Sequence, residues 1–273
     1  EFAPYFHETP EAQYFMRDFN RKAMQWLIPL AKPLTDLESA TLSDLYDAEV
    51  AYQDHLLAEM IEALDTPYHR EHSLVVFLAD HGEMLGEHGF LGHGFGVYEP
   101  LIRVPLFMRF PGLPHAKKVS QRVSITQLFY TVLDYFGFES VSMPYAEAVD
   151  VGCQSLLRLR SKEGCLQAPV IAEAYAPENA LRIMDNHSPG LIEQYQAEKT
   201  RRAVYQQDEK LISIEGLSNR LYNLAGDPDE MQPYQDASRM DALLKELEDY
   251  LDLAATRQTG ASNRKVSLKD DLI

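Results

Sequence analysis

The sequence predicts an α/β fold with a parallel-rich sheet, followed by a small α+β subdomain with an antiparallel sheet. First, apolar residues recur at helical spacing over residues 43–64, and Thr66-Pro67 ends that pattern. Second, residues 73–79 form a short continuous apolar run, typical of a strand buried on both faces in a parallel sheet. Third, short strand patterns separated by turn residues follow residue 152, which is typical of an antiparallel sheet.

The remaining elements complete this arrangement. Helices are also predicted over residues 10–30, 124–136 and 237–253, and a second strand of the first sheet over residues 104–108. The subdomain strands are predicted at residues 169–174, 202–206, 210–214 and 220–224, and a polar, loosely held tail at residues 256–273. We therefore expect a core domain over residues 1–160 and a subdomain over residues 161–273.

The composition indicates a globular protein with an acidic surface. The 273 residues include 25 basic and 42 acidic ones, for a formal net charge of −17. Because a surface that binds nucleic acid must be basic, we expect no nucleic-acid partner. No run of about 18 apolar residues occurs, so we also expect no membrane-spanning helix.

Compartment and assembly stay open. Residues 1–5 lack the basic start and the apolar segment of a signal peptide, and both a cytoplasmic and a periplasmic or secreted location fit. The chain has two cysteines, Cys153 and Cys165, and a disulfide between them is allowed but not required. An oligomer is compatible with the sequence.

Residues suited to chemistry are concentrated directly after the first predicted strand. Residues 80–100 hold six of the 14 glycines and three of the nine histidines. Asp80 and His81 stand at the carboxyl end of the strand, where ligands of open α/β sheets gather. A carboxylate oxygen and an imidazole nitrogen both bind divalent metals, and Gly82 lets the backbone turn sharply after them. Asp80 and His81 are therefore candidate metal ligands.

His93 is the candidate catalytic residue of the same segment. Gly92 and Gly94 flank it, so that backbone and imidazole can approach an anionic group closely. A protonated His93 could bind the oxyanion of an ester or give a proton to its leaving group.

Plainer roles stay open for these residues. An Asp-His pair alone is often a turn with a capping aspartate, and His93 could be an ordinary exposed loop histidine. Glu83, Glu87 and His88 could hold the ligands in place or have only a structural role.

Residues 74–112 resemble the sulfatase branch of the alkaline phosphatase superfamily, close to arylsulfatases and phosphonate monoester hydrolases. Those enzymes carry an apolar strand, Asp-His or Asp-Asn-Gly, a glycine-rich loop with a sulfate-binding Lys or His, then Tyr-Glu and Arg-Val-Pro-Leu. The corresponding residues here are Asp80-His81-Gly82, His93, Tyr98-Glu99 and Arg103-Val104-Pro105-Leu106. The resemblance extends over nearly the whole chain. It implies an alkaline phosphatase-like α/β sandwich, of which residues 1–160 would form the carboxyl-terminal part of the core.

The resemblance also implies a function. Asp80 and His81 would bind one divalent ion, with calcium the first choice and magnesium or manganese as alternatives, and His93 would contact the sulfate. The intact protein would be a sulfuric ester hydrolase acting on a small anionic ester. Two alternatives stay open, namely a phosphonate monoester or phosphodiester hydrolase and a non-catalytic binding domain with this fold.

The nucleophile that the resemblance implies is absent from this sequence. The family uses a formylglycine made from Cys or Ser within Cys/Ser-x-Pro-x-Arg, and no such string occurs. Ser142-Met143-Pro144 begins the pattern, but Ala146 stands where arginine is required. Because covalent catalysis needs a nucleophile, we expect this chain to be an inactive C-terminal portion whose missing N-terminal half supplies the formylglycine and further metal ligands.

Overall fold

The computed structural model describes the helices and strands of residues 9–22, 33–112, 118–141, 149–157 and 169–262. The helices are α1 Pro10–Arg21, α2 Asp36–Leu64, α3 Pro67–His72, α4 Glu99–Ile102, α5 Gln127–Tyr135, α6 Val151–Gln154, α7 Glu178–His187, α8 Gly190–Tyr195 and α9 Ala237–Ser262. The strands are β1 Val75–Leu78, β2 Met84–Leu85, β3 Leu91–Gly92, β4 Leu106–Arg109, β5 Ser140–Val141, β6 Val149–Asp150, β7 Val170–Ala174, β8 Arg201–Gln206, β9 Glu209–Ile214 and β10 Arg220–Asn223. The predicted α/β class is confirmed.

A capping box fixes the start of α2, the long helix that precedes the first strand. The Thr35 hydroxyl accepts a hydrogen bond from the Glu38 backbone N–H at 3.2 Å, and the Glu38 carboxylate accepts one from the Thr35 N–H at 2.8 Å. These reciprocal bonds satisfy donors that a helix start otherwise leaves unpaired. For this reason α2 begins before residue 43, where apolar spacing alone had placed it.

The first sheet consists of β1 and β4, which pair antiparallel with Phe77 opposite Phe107 and Leu78 opposite Leu106. In this respect the structure differs from the prediction, which gave β1 a parallel neighbour. A continuous apolar run indicates a tendency to be buried but not the direction of the partner strand. Burial is also less complete than expected, because Phe77, Leu78 and Phe107 are exposed in this chain.

The second sheet confirms the predicted antiparallel subdomain strands. Its order is β10-β9-β8-β7, and β9 and β10 run antiparallel. One face packs against α9 around five buried aliphatic side chains, namely Val204, Leu211, Leu221, Leu243 and Leu247. Helix α9 continues to Ser262, so its predicted end at residue 253 was wrong, and residues 256–262 of the predicted polar tail are helical. A polar sequence without proline can remain helical, and composition alone did not reveal this.

A buried ion pair lies among the residues of this sheet and the loop that follows it. The Lys210 Nζ atom is 2.5 Å from Glu230 Oε1, and both side chains are 0% exposed. The same ammonium lies 5.1 Å from the centroid of the Tyr205 ring. The paired charge and the aromatic face compensate for the loss of hydration of the ammonium.

The chain divides into two compact units. One contains the described residues up to Lys118 together with Glu173–Arg201 and Ile214–Gly216, and the other contains Val119–Ala172, Arg202–Ser213 and the residues from Leu217 onward. The predicted domain boundary at residue 160 falls within residues 158–168, outside the described residues, and stays a prediction.

Two further expectations concern the membrane and the cysteines. None of the described helices is both long and apolar enough to cross a bilayer. Cys153 is disulfide-bonded, whereas Cys165 lies outside the described residues.

Candidate metal and anion site

The loop after β1 places Asp80 and His81 side by side. The Oδ1 atom of Asp80 accepts a hydrogen bond of 3.0 Å from the His81 backbone N–H, and Oδ2 lies 3.8 Å from His81 Nε2. That backbone N–H holds the pKa of the Asp80 carboxyl below its ordinary value, and the imidazoles of His81 and His93 act in the same direction. The Asp80 side chain is 88% exposed, so a cation can reach a carboxylate that is kept ionised.

A hydrogen bond from the His81 ring to a backbone carbonyl fixes the tautomer of His81. The Nδ1 atom of His81 lies 2.8 Å from the carbonyl oxygen of Gly82. A carbonyl can only accept, so Nδ1 must carry the proton and donate it. In the neutral ring the lone pair is then on Nε2, the atom nearest Asp80. This arrangement is typical of metal-binding histidines, which donate their other ring N–H to a carbonyl or a carboxylate.

The donor set fits a divalent cation. Oxygen ligands bind calcium at about 2.3 to 2.6 Å, so a separation of 3.8 Å allows both side chains to bind one ion. A carboxylate suits calcium, magnesium and manganese, whereas an imidazole is more usual with transition ions. Asp80 and His81 would therefore hold such an ion together, with other ligands needed to complete its coordination.

Gly82 anchors the turn that follows these ligands. Its backbone N–H donates to the carbonyl oxygen of Leu101 at 2.7 Å. A Cβ atom on Gly82 would lie 2.0 Å from the carbonyl oxygen of Pro100, which is far closer than any real contact. Only glycine therefore allows the loop that carries Asp80 and His81 to approach the backbone at the start of α4 this closely.

Gly82→Ala is expected to lower the free energy of unfolding by about 1 to 3 kcal/mol, because the loop must move to relieve the clash. We also expect weaker binding of divalent ions, since Asp80 and His81 move with the loop. Urea unfolding and metal titration measure the two effects. Gly190→Ala is the matched control, because a Cβ at Gly190 meets nothing within 4 Å. Equal stability and metal affinity for both variants would contradict the assignment.

A short hairpin brings Glu83 and His93 together. Strands β2 and β3 pair with Met84 opposite Gly92 and Leu85 opposite Leu91, so the next residues outward are Glu83 and His93. The Nδ1 atom of His93 lies 3.1 Å from Oε2 and 3.4 Å from Oε1 of Glu83. The imidazole of His93 thus donates to a carboxylate from the opposite strand end.

The two histidine rings lie against each other. The centroids of His81 and His93 are 4.3 Å apart and the rings are inclined by 28°. One ligand atom from each of His81, Glu83 and His93 can be chosen so that all lie within 4.8 Å of one another. The structure therefore gathers a possible cation-binding pair and a carboxylate–imidazole pair in one exposed cluster.

Buried residues hold the β2–β3 hairpin, which carries Glu83 and His93 at its ends. Met84 is fully buried, and Leu91 packs with Phe15 and Leu42 in a small core. At the hairpin turn the Glu87 carboxylate accepts a hydrogen bond from the Leu85 N–H at 2.6 Å. These contacts tie the hairpin to α1 and α2.

His88 belongs to the turn. It adopts a left-handed backbone conformation with φ of 53°, and its ring stacks on Tyr98 at 3.7 Å. Glu87 and His88 thus have structural contacts, whereas Glu83 faces the candidate site. The predicted metal ligands Asp80 and His81 and the predicted catalytic His93 lie together, but their roles stay predictions.

The fold and this cluster define an α/β domain in which the carboxylate and imidazole of Asp80 and His81 lie beside the imidazole of His93. The sulfatase family model matches residues 2–138, half of the chain, and the chain belongs to the sulfatase family. It is 28% identical over 135 residues to a sulfatase of Formosa agariphila, covering 49% of this chain and 25% of that protein. It is 26% identical over 203 residues to arylsulfatase K of Homo sapiens, covering 72% of this chain and 34% of that protein.

A solved structure supports the fold. The phosphonate monoester hydrolase of Agrobacterium radiobacter matches with a TM-score of 0.60 and 23% sequence identity, over 82% of this chain and 43% of that chain. The predicted alkaline phosphatase-like fold is confirmed. The chain spans less than half the length of each of these three proteins.

Proposed function

We propose that the intact protein is a metal-dependent sulfuric ester hydrolase and that this chain is its C-terminal portion. The observation that carries the proposal is the placement of Asp80 Oδ2 and His81 Nε2 3.8 Å apart, beside His93, in a member of the sulfatase family. The substrate would be a small anionic ester, because the cluster offers one cation-binding pair and one imidazole donor.

Asp80 and His81 would hold one divalent ion, calcium in the first place, with magnesium or manganese as alternatives. When bound, the cation would neutralise charge on the sulfate and activate the nucleophile. Because His81 contributes an imidazole nitrogen, the pair could also bind ions other than the hard ions that oxygen ligands alone would select. Metal content after purification, and reactivation of the metal-free protein by each ion, would identify the resident one.

His93 would act on the ester itself. Its Nδ1 donates to Glu83, so in the protonated ring the Nε2–H would donate to an oxygen of the sulfate or give its proton to the leaving group. Gly92, with φ of 83°, and Gly94 carry no side chain that would obstruct an anion approaching this ring.

The nucleophile would come from outside this chain, as a formylglycine in an N-terminal half. The short span of this chain relative to its relatives is consistent with that proposal. Exposed apolar side chains support it as well, since Phe77, Leu78 and Phe107 on the first sheet and Met60 on α2 are the type of surface that another part of a protein covers. The chain alone would then bind metal but turn over no ester.

The test is turnover of an aryl sulfate and of an aryl phosphonate monoester by the intact protein. We expect a higher kcat/KM for the sulfate. Turnover of the phosphonate alone would replace the proposal with the phosphonate hydrolase alternative. Metal binding without turnover of either ester, together with the absence of a Cys/Ser-x-Pro-x-Arg string upstream, would identify a non-catalytic binding domain.

A further inference from the structure

We infer that Glu83 is a positioning residue that orients the His93 imidazole toward the ester anion. The inference rests on the proposed role of His93 and deepens it, because it explains how an exposed histidine can present one defined nitrogen. The contacts that carry it are those from His93 Nδ1 to Glu83 Oε2 at 3.1 Å and Oε1 at 3.4 Å.

The pairing is built into the backbone. Glu83 and His93 are the first residues beyond the β2–β3 ladder, so the register places them opposite each other. Gly82, the neighbour of Glu83, is held by its bond to Leu101, and Met84 on the other side is fully buried. These backbone constraints distinguish the pair from an ordinary surface ion pair between two long, mobile side chains, which contributes little to stability.

The hydrogen bond determines which nitrogen faces the substrate. A carboxylate accepts only, so Nδ1 carries a proton and Nε2 is directed away from Glu83. Without that partner the ring is free to turn about its outer side-chain torsion, which has broad and roughly two-fold preferences. An exposed His93, at 53%, would then spend much of its time with neither nitrogen in the productive position.

A different role for Glu83 is also conceivable from the geometry. Its carboxylate lies within 4.8 Å of ligand atoms on His81 and His93, so it could bind the cation directly. The two roles differ in what is lost when the carboxylate is removed. A positioning role affects turnover through His93 and leaves metal content unchanged, whereas a ligand role lowers metal content.

The experiment is a double-mutant cycle in the intact, metal-loaded protein with Glu83→Ala, His93→Ala and the combined variant. We expect Glu83→Ala to lower kcat/KM about 10- to 100-fold, by analogy with the carboxylates that orient metal-binding histidines. The same substitution should cost less than about twofold when His93 is already alanine, because its effect passes through the ring. Glu83→Gln should retain part of the activity, since its amide oxygen still accepts the Nδ1–H bond. Metal content should stay at the wild-type level throughout.

Three results would overturn the inference. These are additive losses in the cycle, loss of metal in Glu83→Ala, and an equal coupling to His93 for Glu87→Ala. The last variant is the matched control, because the Glu87 carboxylate lies in the same hairpin but bonds to Leu85. The cycle is repeated with the affinity for inorganic sulfate as a readout. If the wild-type protein hydrolyses no ester, the proposed function fails, yet coupling in sulfate binding would still support the role of Glu83.

Discussion

Asp80→Ala is expected to abolish metal binding and ester hydrolysis together in the intact protein. The variant removes the carboxylate of the pair that Asp80 and His81 form, leaving only the imidazole of this pair to hold the proposed ion. Mutating a residue that only supports a metal ligand already lowers metal affinity about 10- to 100-fold. Removing a ligand itself should therefore lower the affinity by more than about 100-fold. Metal stoichiometry after dialysis and turnover of an aryl sulfate are the two measurements.

The control for Asp80→Ala is Asp241→Ala, which removes a similarly exposed aspartate on α9. It should keep wild-type metal content and turnover. Asp80→Asn should bind metal more weakly than wild type but more tightly than Asp80→Ala, because the amide retains an oxygen without the charge. Full activity and normal metal content in Asp80→Ala would exclude Asp80 as a ligand and remove the basis of the proposed function.

Lys210→Met is expected to have the largest effect on stability. The substitution leaves the Glu230 carboxylate buried without its ammonium partner, in a pair whose side chains are both 0% exposed. Removing one member of a buried pair costs about 3 to 5 kcal/mol, most of it from the uncompensated charge. Urea unfolding at neutral pH should therefore show a greatly reduced free energy of unfolding.

Two comparisons separate this cause from simple loss of a lysine. The double variant Lys210→Met and Glu230→Leu should recover most of the stability, because no buried charge then lacks a partner. Lys245→Met, at an α9 lysine whose side chain is 75% exposed and paired with Asp249, should change stability by less than about 1 kcal/mol. A double variant as unstable as the single one would show that the site needs these side chains for packing.

The candidate ligands could be predicted from the sequence because the residues that indicate them are neighbours along the chain. An apolar run followed at once by Asp80, His81 and Gly82 marks the end of a strand and a sharp turn, and β1 indeed ends at Leu78. The antiparallel subdomain strands could be predicted equally well, since turn residues and short apolar stretches mark them directly. Each of these features depends on neighbours within a few positions of the chain.

The pairing of Glu83 with His93 could not be predicted in the same way. Strands β2 and β3 have two residues each, which is too short for any alternation to be recognised. Their register is set by the left-handed residues Gly86, His88 and Gly89 in the turn and by burial of Met84 against the rest of the protein. The glycine spacing signalled a loop but not which side chains it would bring together.

By itself, the sequence determined the α/β class, four of the nine described helices, six of the ten described strands, and the position of Asp80, His81 and His93 on one glycine-rich segment. Only the tertiary structure decided the antiparallel pairing of β1 with β4, the burial of Lys210 with Glu230, and the contact between Glu83 and His93. The physical reason is the difference in sequence separation between the residues that interact. Propensity, capping and turn chemistry act over a few residues, whereas strand direction and charge pairing depend on which distant segments pack together.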